Sequence, residues 1–248
     1  MLNPQICTDR RSLGEAAGAA IADVMRECIA SRGYVRILFG SAPSQDETLD
    51  SLARAPGLDW SAVTAFHLDE YVGADAASPH SFRRYLESRL FSQVRPAVFH
   101  AIQGEAADSQ AECERYARLL DKAPPDIALL GIGENGHLAF NDPPCDFHDP
   151  ARVKVVQLAE SCRAQQVHDG AFATLADVPR SAITLTIPAL LEAPSIFVIV
   201  PGLSKAAAVR CALEDPISPN CPASILRTHG RVEMFLDRES SSQLSQRP

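Results

Sequence analysis

The chain has 248 residues, 46% hydrophobic and 22% charged, an ordinary globular composition with enough apolar residues to bury a sizeable core. A formal charge of -8 argues against nucleic acid or an anionic membrane surface as the main partner, so any phosphate site has to be local. The seven cysteines are odd in number, scattered and without a C-x-x-C pair, which fits reduced thiols in a cytoplasmic protein better than a disulfide framework or zinc site. No basic-then-apolar leader is visible at the amino terminus, and the longest apolar stretch, around 196–200, is far too short to span a bilayer.

In chain order, the alanine-rich segment 16–29 has helical spacing and leads through Gly33 into a strand at 34–39. A polar turn at 40–45 precedes a helix near 46–54, and a strand at 63–68 ends at Asp69-Glu70-Tyr71. Helices follow at 81–90 and 107–120. Residues 127–132, an apolar run between Pro124-Pro125 and glycines, read as a fully buried strand. Further strands are expected at 152–158, 182–187, 195–200 and 232–236, with a helix at 205–213. Strands alternating with helices imply one α/β domain over residues 1–238, a doubly wound, mostly parallel sheet with helices on both faces. The Ser/Gln-rich stretch 239–248 reads as a flexible tail.

Ligands of such sheets bind beyond the carboxyl ends of the strands. Just there, after the strand at 127–132, stand Glu134, Asn135, His137, Asn141 and Asp142. Gly131, Gly133 and Gly136 also satisfy G-x-G-x-x-G, but Pro143 and Pro144 leave no room for the helix that a dinucleotide site needs. Asp69 and Glu70 close a second strand at the same edge. A carboxylate near a carbon acid, beside an imidazole serving a ring oxygen, is what an aldose–ketose proton shuttle requires. The bland alternative makes Asp69 a turn cap and pairs Glu70 with a surface arginine. His67 reads as a satisfied structural histidine, since no third ligand accompanies His67 and Asp69.

The turn Ser41-Ala42-Pro43-Ser44-Gln45 offers hydroxyls and backbone N–H groups at a helix amino terminus, where a phosphate binds; locally a simple serine cap at Ser44 is an equal reading. Lys205 tips the balance, because a cation opening a helix opposes the helix dipole unless an anion is bound. Arg163 is the candidate second clamp.

The stretch Leu130-Gly-Ile-Gly-Glu-Asn-Gly-His-Leu-Ala-Phe-Asn141, with Leu68-Asp-Glu-Tyr-Val-Gly73, resembles the glucosamine/galactosamine-6-phosphate isomerase (deaminase) family. A looser likeness runs through Pro222-Ala-Ser-Ile-Leu226 and the Lys205 turn, so that it covers nearly the whole chain. The resemblance implies a Rossmann-like fold and conversion of an amino-sugar 6-phosphate to a ketose 6-phosphate with release of ammonia, without metal or organic cofactor. By position it makes His137 the ring-opening residue and Asp69 the base between C2 and C1, with Asn135 and Asp142 supporting His137. Ser41, Ala42, Ser44, Arg163 and Lys205 fall at the phosphate ligands. Asn135 replaces an aspartate of some members, and Asp142 replaces a glutamate one methylene longer. The usual Thr-Gly-Gly-Thr-Pro turn is changed, and Pro43 has no N–H to give, which makes a galactosamine-type epimer a credible substrate. The expected partner is a small amino-sugar phosphate, with no nucleic acid or membrane and with a homo-oligomer left open. Competing readings are a sugar-phosphate lactonase, which would follow the histidine with Thr-Ala-Ser-Leu-Phe-Pro, and a sugar-phosphate sensor without turnover.

Overall fold

The computed structural model describes residues 2–245. Its strands are β1 (Gln5–Ile6), β2 (Val35–Phe39), β3 (Val63–His67), β4 (Asp69–Tyr71), β5 (Val98–His100), β6 (Ile127–Leu130), β7 (Val153–Gln157), β8 (Ser181–Leu185), β9 (Ser195–Val200) and β10 (Val232–Leu236). The helices are α1 (Arg10–Arg32), α2 (Asp46–Ala53), α3 (Phe82–Leu86), α4 (Ser109–Asp121), α5 (Glu160–His168), α6 (Ile187–Leu190) and α7 (Ala206–Glu214).

Seven strands form a parallel sheet in the order β1-β10-β9-β6-β2-β3-β5. Every residue of β6 and β9 is buried, the pattern of central strands covered on both faces. Successive side chains sort to opposite sides. Leu38, Ala128, Leu130, Ile196 and Val198 join one core with Tyr116 of α4, while Ile37, Phe39, Ile127, Leu129 and Phe197 join another with α1 and α2. This is the doubly wound architecture expected from the alternation of elements.

Helix α1 starts earlier than its apolar spacing suggests because Asp9 caps it, accepting from Ser12 N–H at 2.8 Å. It ends at Gly33, whose φ of 79° gives the left-handed turn that a glycine adopts without strain. Gly14 and Gly18 let α1 lie directly on α2: a Cβ added at Gly14 would stand 2.3 Å from Glu47 Cβ.

Two expectations are revised. The strand expected at 63–68 runs toward Asp69-Glu70-Tyr71 in the sequence, yet the chain leaves the parallel sheet at Leu68, and Asp69–Tyr71 pairs antiparallel with β8. With β7 these make a separate three-stranded sheet, order β4-β8-β7. In β7 only Val153 is buried, while Val155 and Gln157 on the same face are exposed, so solvent reaches most of this strand. The flexible tail is also corrected over 239–245. Asp237 accepts from Ser240 N–H at 2.7 Å, Ser240 and Ser241 are buried, and Ser245 bonds Glu214. Residues 246–248 lie outside the described residues.

Candidate functional site

The loops after β2, β6 and β9 and the β3–β4 junction meet in a cleft of about 600 Å³ at the carboxyl edge of the parallel sheet. Six of the nine residues singled out in the sequence line it: Ser41, Ala42, Ser44, Asp69, His137 and Lys205. Glycines bring the walls together. A Cβ at Gly131 would lie 3.3 Å from Ser44 Oγ, and one at Gly40 would lie 3.0 Å from Leu129 O.

The 131–144 loop folds back on itself, with Gly136 N–H donating to Gly133 O at 2.9 Å and Gly133 N–H to His137 O at 3.0 Å. No helix follows Gly136; Leu138 instead bridges to Asn141, so the dinucleotide fingerprint is coincidental. The His137 ring lies against Gly133, where a Cβ would sit 2.2 Å from Cε1. His137 Nδ1 stands 2.8 Å from Asn135 Oδ1 and 3.2 Å from Asp142 Oδ1. Asn135 Nδ2 donates to the same Asp142 oxygen at 2.9 Å, and Ala159 N–H donates to the other at 3.1 Å. Asp142, although short, therefore reaches the imidazole. Burial alone would raise the Asp142 carboxyl, but hydrogen bonds from His137, Asn135 and Ala159 bring it below the ordinary carboxylate value. An ionised carboxylate and an amide oxygen both accept, so Nδ1 carries the proton and Nε2 keeps the lone pair in the neutral ring.

The two adjacent carboxylates of β4 divide their tasks. Glu70 accepts from Ser81 Oγ at 2.7 Å and from the N–H groups of Tyr71, Phe82 and Arg83 at 3.0–3.1 Å, which makes it the clamp on the start of α3. Asp69 takes no hydrogen bond among the described residues and faces the cleft. Burial, with a further push from the Glu70 charge, raises its carboxyl to about 8. The capping role that the alternative reading gave to Asp69 thus falls to Glu70. His67 is buried with Nε2 accepting from Ile102 N–H at 2.7 Å, as a structural histidine should be.

Elsewhere along the cleft wall, Pro43–Gln45 forms a short 3-10 turn before α2. Ser44 makes no capping bond, and the buried Ser41 hydroxyl has no partner among the described residues, leaving it available to a ligand. Lys205 is buried, lines the same cleft and forms no ion pair among the described residues. Burial lowers its ammonium, with Asp169 and Glu134 partly offsetting that.

Arg163 is a correction. It does not line the cleft; its Nη2 donates to Val178 O at 3.0 Å and to Leu175 O, tying the 169–178 loop to α5. The cleft side of α5 carries Gln165 and Gln166 instead. Also absent from the sequence reading are Gln45, a buried amide whose Oε1 is unpartnered, and Arg10, which lines the cleft. Arg10 Nε donates to Glu47 at 2.6 Å and Nη2 to Pro43 O, bracing the turn. Nothing in the local pattern links Arg10 to a turn thirty residues on, whereas Gln45 was written within that turn and passed over. Behind His137, the Asp142 carboxylate and Cys162 Sγ complete a group within 4.8 Å whose donors suit a metal ion.

Arg163→Ala is expected to lower stability by about 1–3 kcal/mol, a drop in Tm of roughly 2–10 °C. Scanning calorimetry with and without inorganic phosphate checks this: the phosphate-dependent shift stays as in the parent if Arg163 is no anion ligand.

The chain matches the family described as glucosamine-6-phosphate isomerases/6-phosphogluconolactonase over residues 8–234. It is 38% identical over 212 residues to a glucosamine-6-phosphate deaminase of Listeria welshimeri, covering 86% of this chain and 89% of the relative. To glucosamine-6-phosphate deaminase 1 of Bacillus subtilis it is 35% identical over 240 residues, 95% of this chain and 97% of that one. The structure of a monomeric glucosamine-6-phosphate deaminase superposes with a TM-score of 0.89 at 32% identity, covering 97% of this chain and 99% of that chain. A 6-phosphogluconolactonase from Shewanella baltica shares the fold, with a TM-score of 0.80 at 20% identity over 96% of this chain and 98% of that one. On both sequence and fold, the chain belongs to the glucosamine-6-phosphate isomerase/6-phosphogluconolactonase family.

Proposed function

We propose that this protein is an enzyme that converts glucosamine 6-phosphate to fructose 6-phosphate and ammonia. The observation that carries this reading is one cleft lined by His137, fixed through Nδ1, by Asp69, a buried carboxylate without hydrogen bonds among the described residues, and by Lys205 and the Ser41 hydroxyl. The sequence Leu138-Ala139-Phe140-Asn141 after His137, and 35–38% identity to deaminases, favour this reaction over the lactonase one.

In this reading the phosphate sits on Ser41, Ser44, the Ala42 backbone and Lys205. His137 Nε2 handles the proton that must move for the pyranose ring to open, and Asn135 and Asp142 hold its tautomer. Asp69 takes the proton from C2 of the open-chain aldehyde and returns it to C1 by way of an enolamine. Water then adds at C2, the C–N bond breaks, and ammonia leaves with fructose 6-phosphate. The seven free thiols suit the reducing cytoplasm.

Incubation with glucosamine 6-phosphate should release ammonia and fructose 6-phosphate in equal amounts, and a parallel run with galactosamine 6-phosphate tests the epimer. No product from either would overturn the proposal. Asp69 works ionised, so kcat/KM should rise with pH through about 8, the value of its carboxyl in the free protein. Asp69→Asn should flatten that limb and lower kcat by roughly 10²–10⁴-fold. Gly133→Ala should cost roughly 10²-fold in kcat with KM little changed, since the methyl displaces the imidazole by about 1 Å. Lys205→Met should raise KM roughly tenfold or more, as loss of a charge-assisted bond of about 1.5–3 kcal/mol implies. Its Tm should hold or rise, because a buried unpaired ammonium is removed.

A further inference from the structure

The side of His137 turned toward Asp142 carries more donors than holding a tautomer requires. His137 Nδ1, an Asp142 carboxylate oxygen and Cys162 Sγ lie within 4.8 Å of one another. The nitrogen and the carboxylate oxygen are 3.2 Å apart, and Asn135 Oδ1 stands 2.8 Å from the same nitrogen. Zinc bonds of about 2.0–2.1 Å to nitrogen, 2.0–2.2 Å to oxygen and 2.3 Å to sulfur put tetrahedral neighbours roughly 3.3–3.6 Å apart. The imidazole–carboxylate pair falls about 0.1 Å short of that spacing, and the thiol reaches it by a shift of about 1 Å, within the range of one side-chain torsion. A thiol and an imidazole select against magnesium and calcium, which take oxygen ligands.

The other features of the cluster fit capture of an ion. Cys162 is buried on α5 beside the Asp142 carboxylate, and an ion that binds there has to displace its thiol proton. A metal-bound thiol is deprotonated outright. Approach is open from the side of Asn135 and the exposed Ser161, whose Oγ lies 3.3 Å from Asn135 Nδ2.

We propose that His137, Asp142 and Cys162 form a capture site for a borderline-soft divalent ion, zinc, completed by Asn135 Oδ1 or water, whose occupancy switches the enzyme off. On binding, the Cys162 thiol proton goes to solvent, the His137 proton passes from Nδ1 to Nε2, three donor bonds to the ion form, and nothing is oxidised or reduced. An imidazole bound to the ion through Nδ1 carries its proton on Nε2, which then has no lone pair to accept a proton from the substrate. The inhibition rests on the reaction proposed above; the binding does not.

The test titrates cobalt(II), a spectroscopic stand-in for zinc, into the reduced, EDTA-treated protein. One equivalent should produce a near-ultraviolet thiolate-to-cobalt band, absent in Cys162→Ser and Cys162→Ala. Cys211 and Cys221 lie side by side and are the competing thiols, so Cys211→Ser should retain the band. In the same samples zinc should abolish ammonia release, EDTA should restore it, and each Cys162 variant, measured against its own metal-free rate, should need at least about tenfold more zinc for half-inhibition. A band that persists in both Cys162 variants or disappears in Cys211→Ser overturns the site, as does the lack of any band in the parent protein. A band that depends on Cys162 while zinc leaves turnover intact overturns the inhibition alone. If the parent releases no ammonia, the spectrum still decides the site, and the failure belongs to the proposed reaction.

Discussion

The contact between the His137 ring and the bare α-carbon of Gly133 sets the geometry of the whole cleft. The ring fills the space of a side chain at 133, with Cε1, Nε2 and Nδ1 all within 2.4 Å of where a Cβ would be. The loop can close that tightly only because Gly136, at φ 85°, turns it in the left-handed region. The same closure puts Asn135 at the tip, where its amide meets both Nδ1 and Asp142. Outer ties hold the arrangement: Asn141 Nδ2 donates to Leu138 O and Leu185 O, Phe140 N–H to Thr184 Oγ1, and Ala223 N–H to Gly136 O. The small antiparallel sheet is therefore the support on which the loop rests. Ala139, between those ties, is held at φ 50°, a conformation that a non-glycine residue adopts only when its surroundings impose it.

Asp69 and Glu70 show how one strand can bury two carboxylates for opposite ends. A buried carboxylate is costly unless donors surround it. Glu70 is surrounded by four, and with them it fixes α3, whose Phe82 and Tyr85 form part of the cleft wall. Asp69, denied donors, holds a proton more tightly than a free aspartate and so is a stronger base once ionised. The departure of the chain from the parallel sheet at Leu68 makes the division possible, since it gives the two side chains separate surroundings within one short strand.

Much of this was legible in the sequence where chemistry follows directly on an apolar run. The strands ending near Asp69 and Leu130 announce themselves by burial pattern, and their carboxyl ends can only meet at one edge of a parallel sheet. Arg163 failed for a complementary reason: which way a helical arginine points depends on what packs there, and the 169–178 loop whose carbonyls engage it has no periodic signal. The antiparallel pairing of β7 and β8 was hidden because periodicity identifies a strand but not its sheet. Ser240 and Ser241 look like linker by composition, and only the Asp237 carboxylate beneath them reveals an ordered turn.

That same carboxylate has a wider consequence. Asp237 also accepts from Gly202 N–H at 2.9 Å, at the head of the turn carrying Lys205, while Arg10 braces Pro43 across the cleft. The turns carrying Pro43 and Lys205 are thus fastened by Arg10 and Asp237, far apart in sequence, whereas His137 and its partners lie between them. During synthesis the central loop emerges long before the last fastening, so the Lys205 turn lacks its Asp237 tie until β10 and Asp237 have left the ribosome. Ligand can steady the folded enzyme, but it arrives too late to guide the early steps of folding.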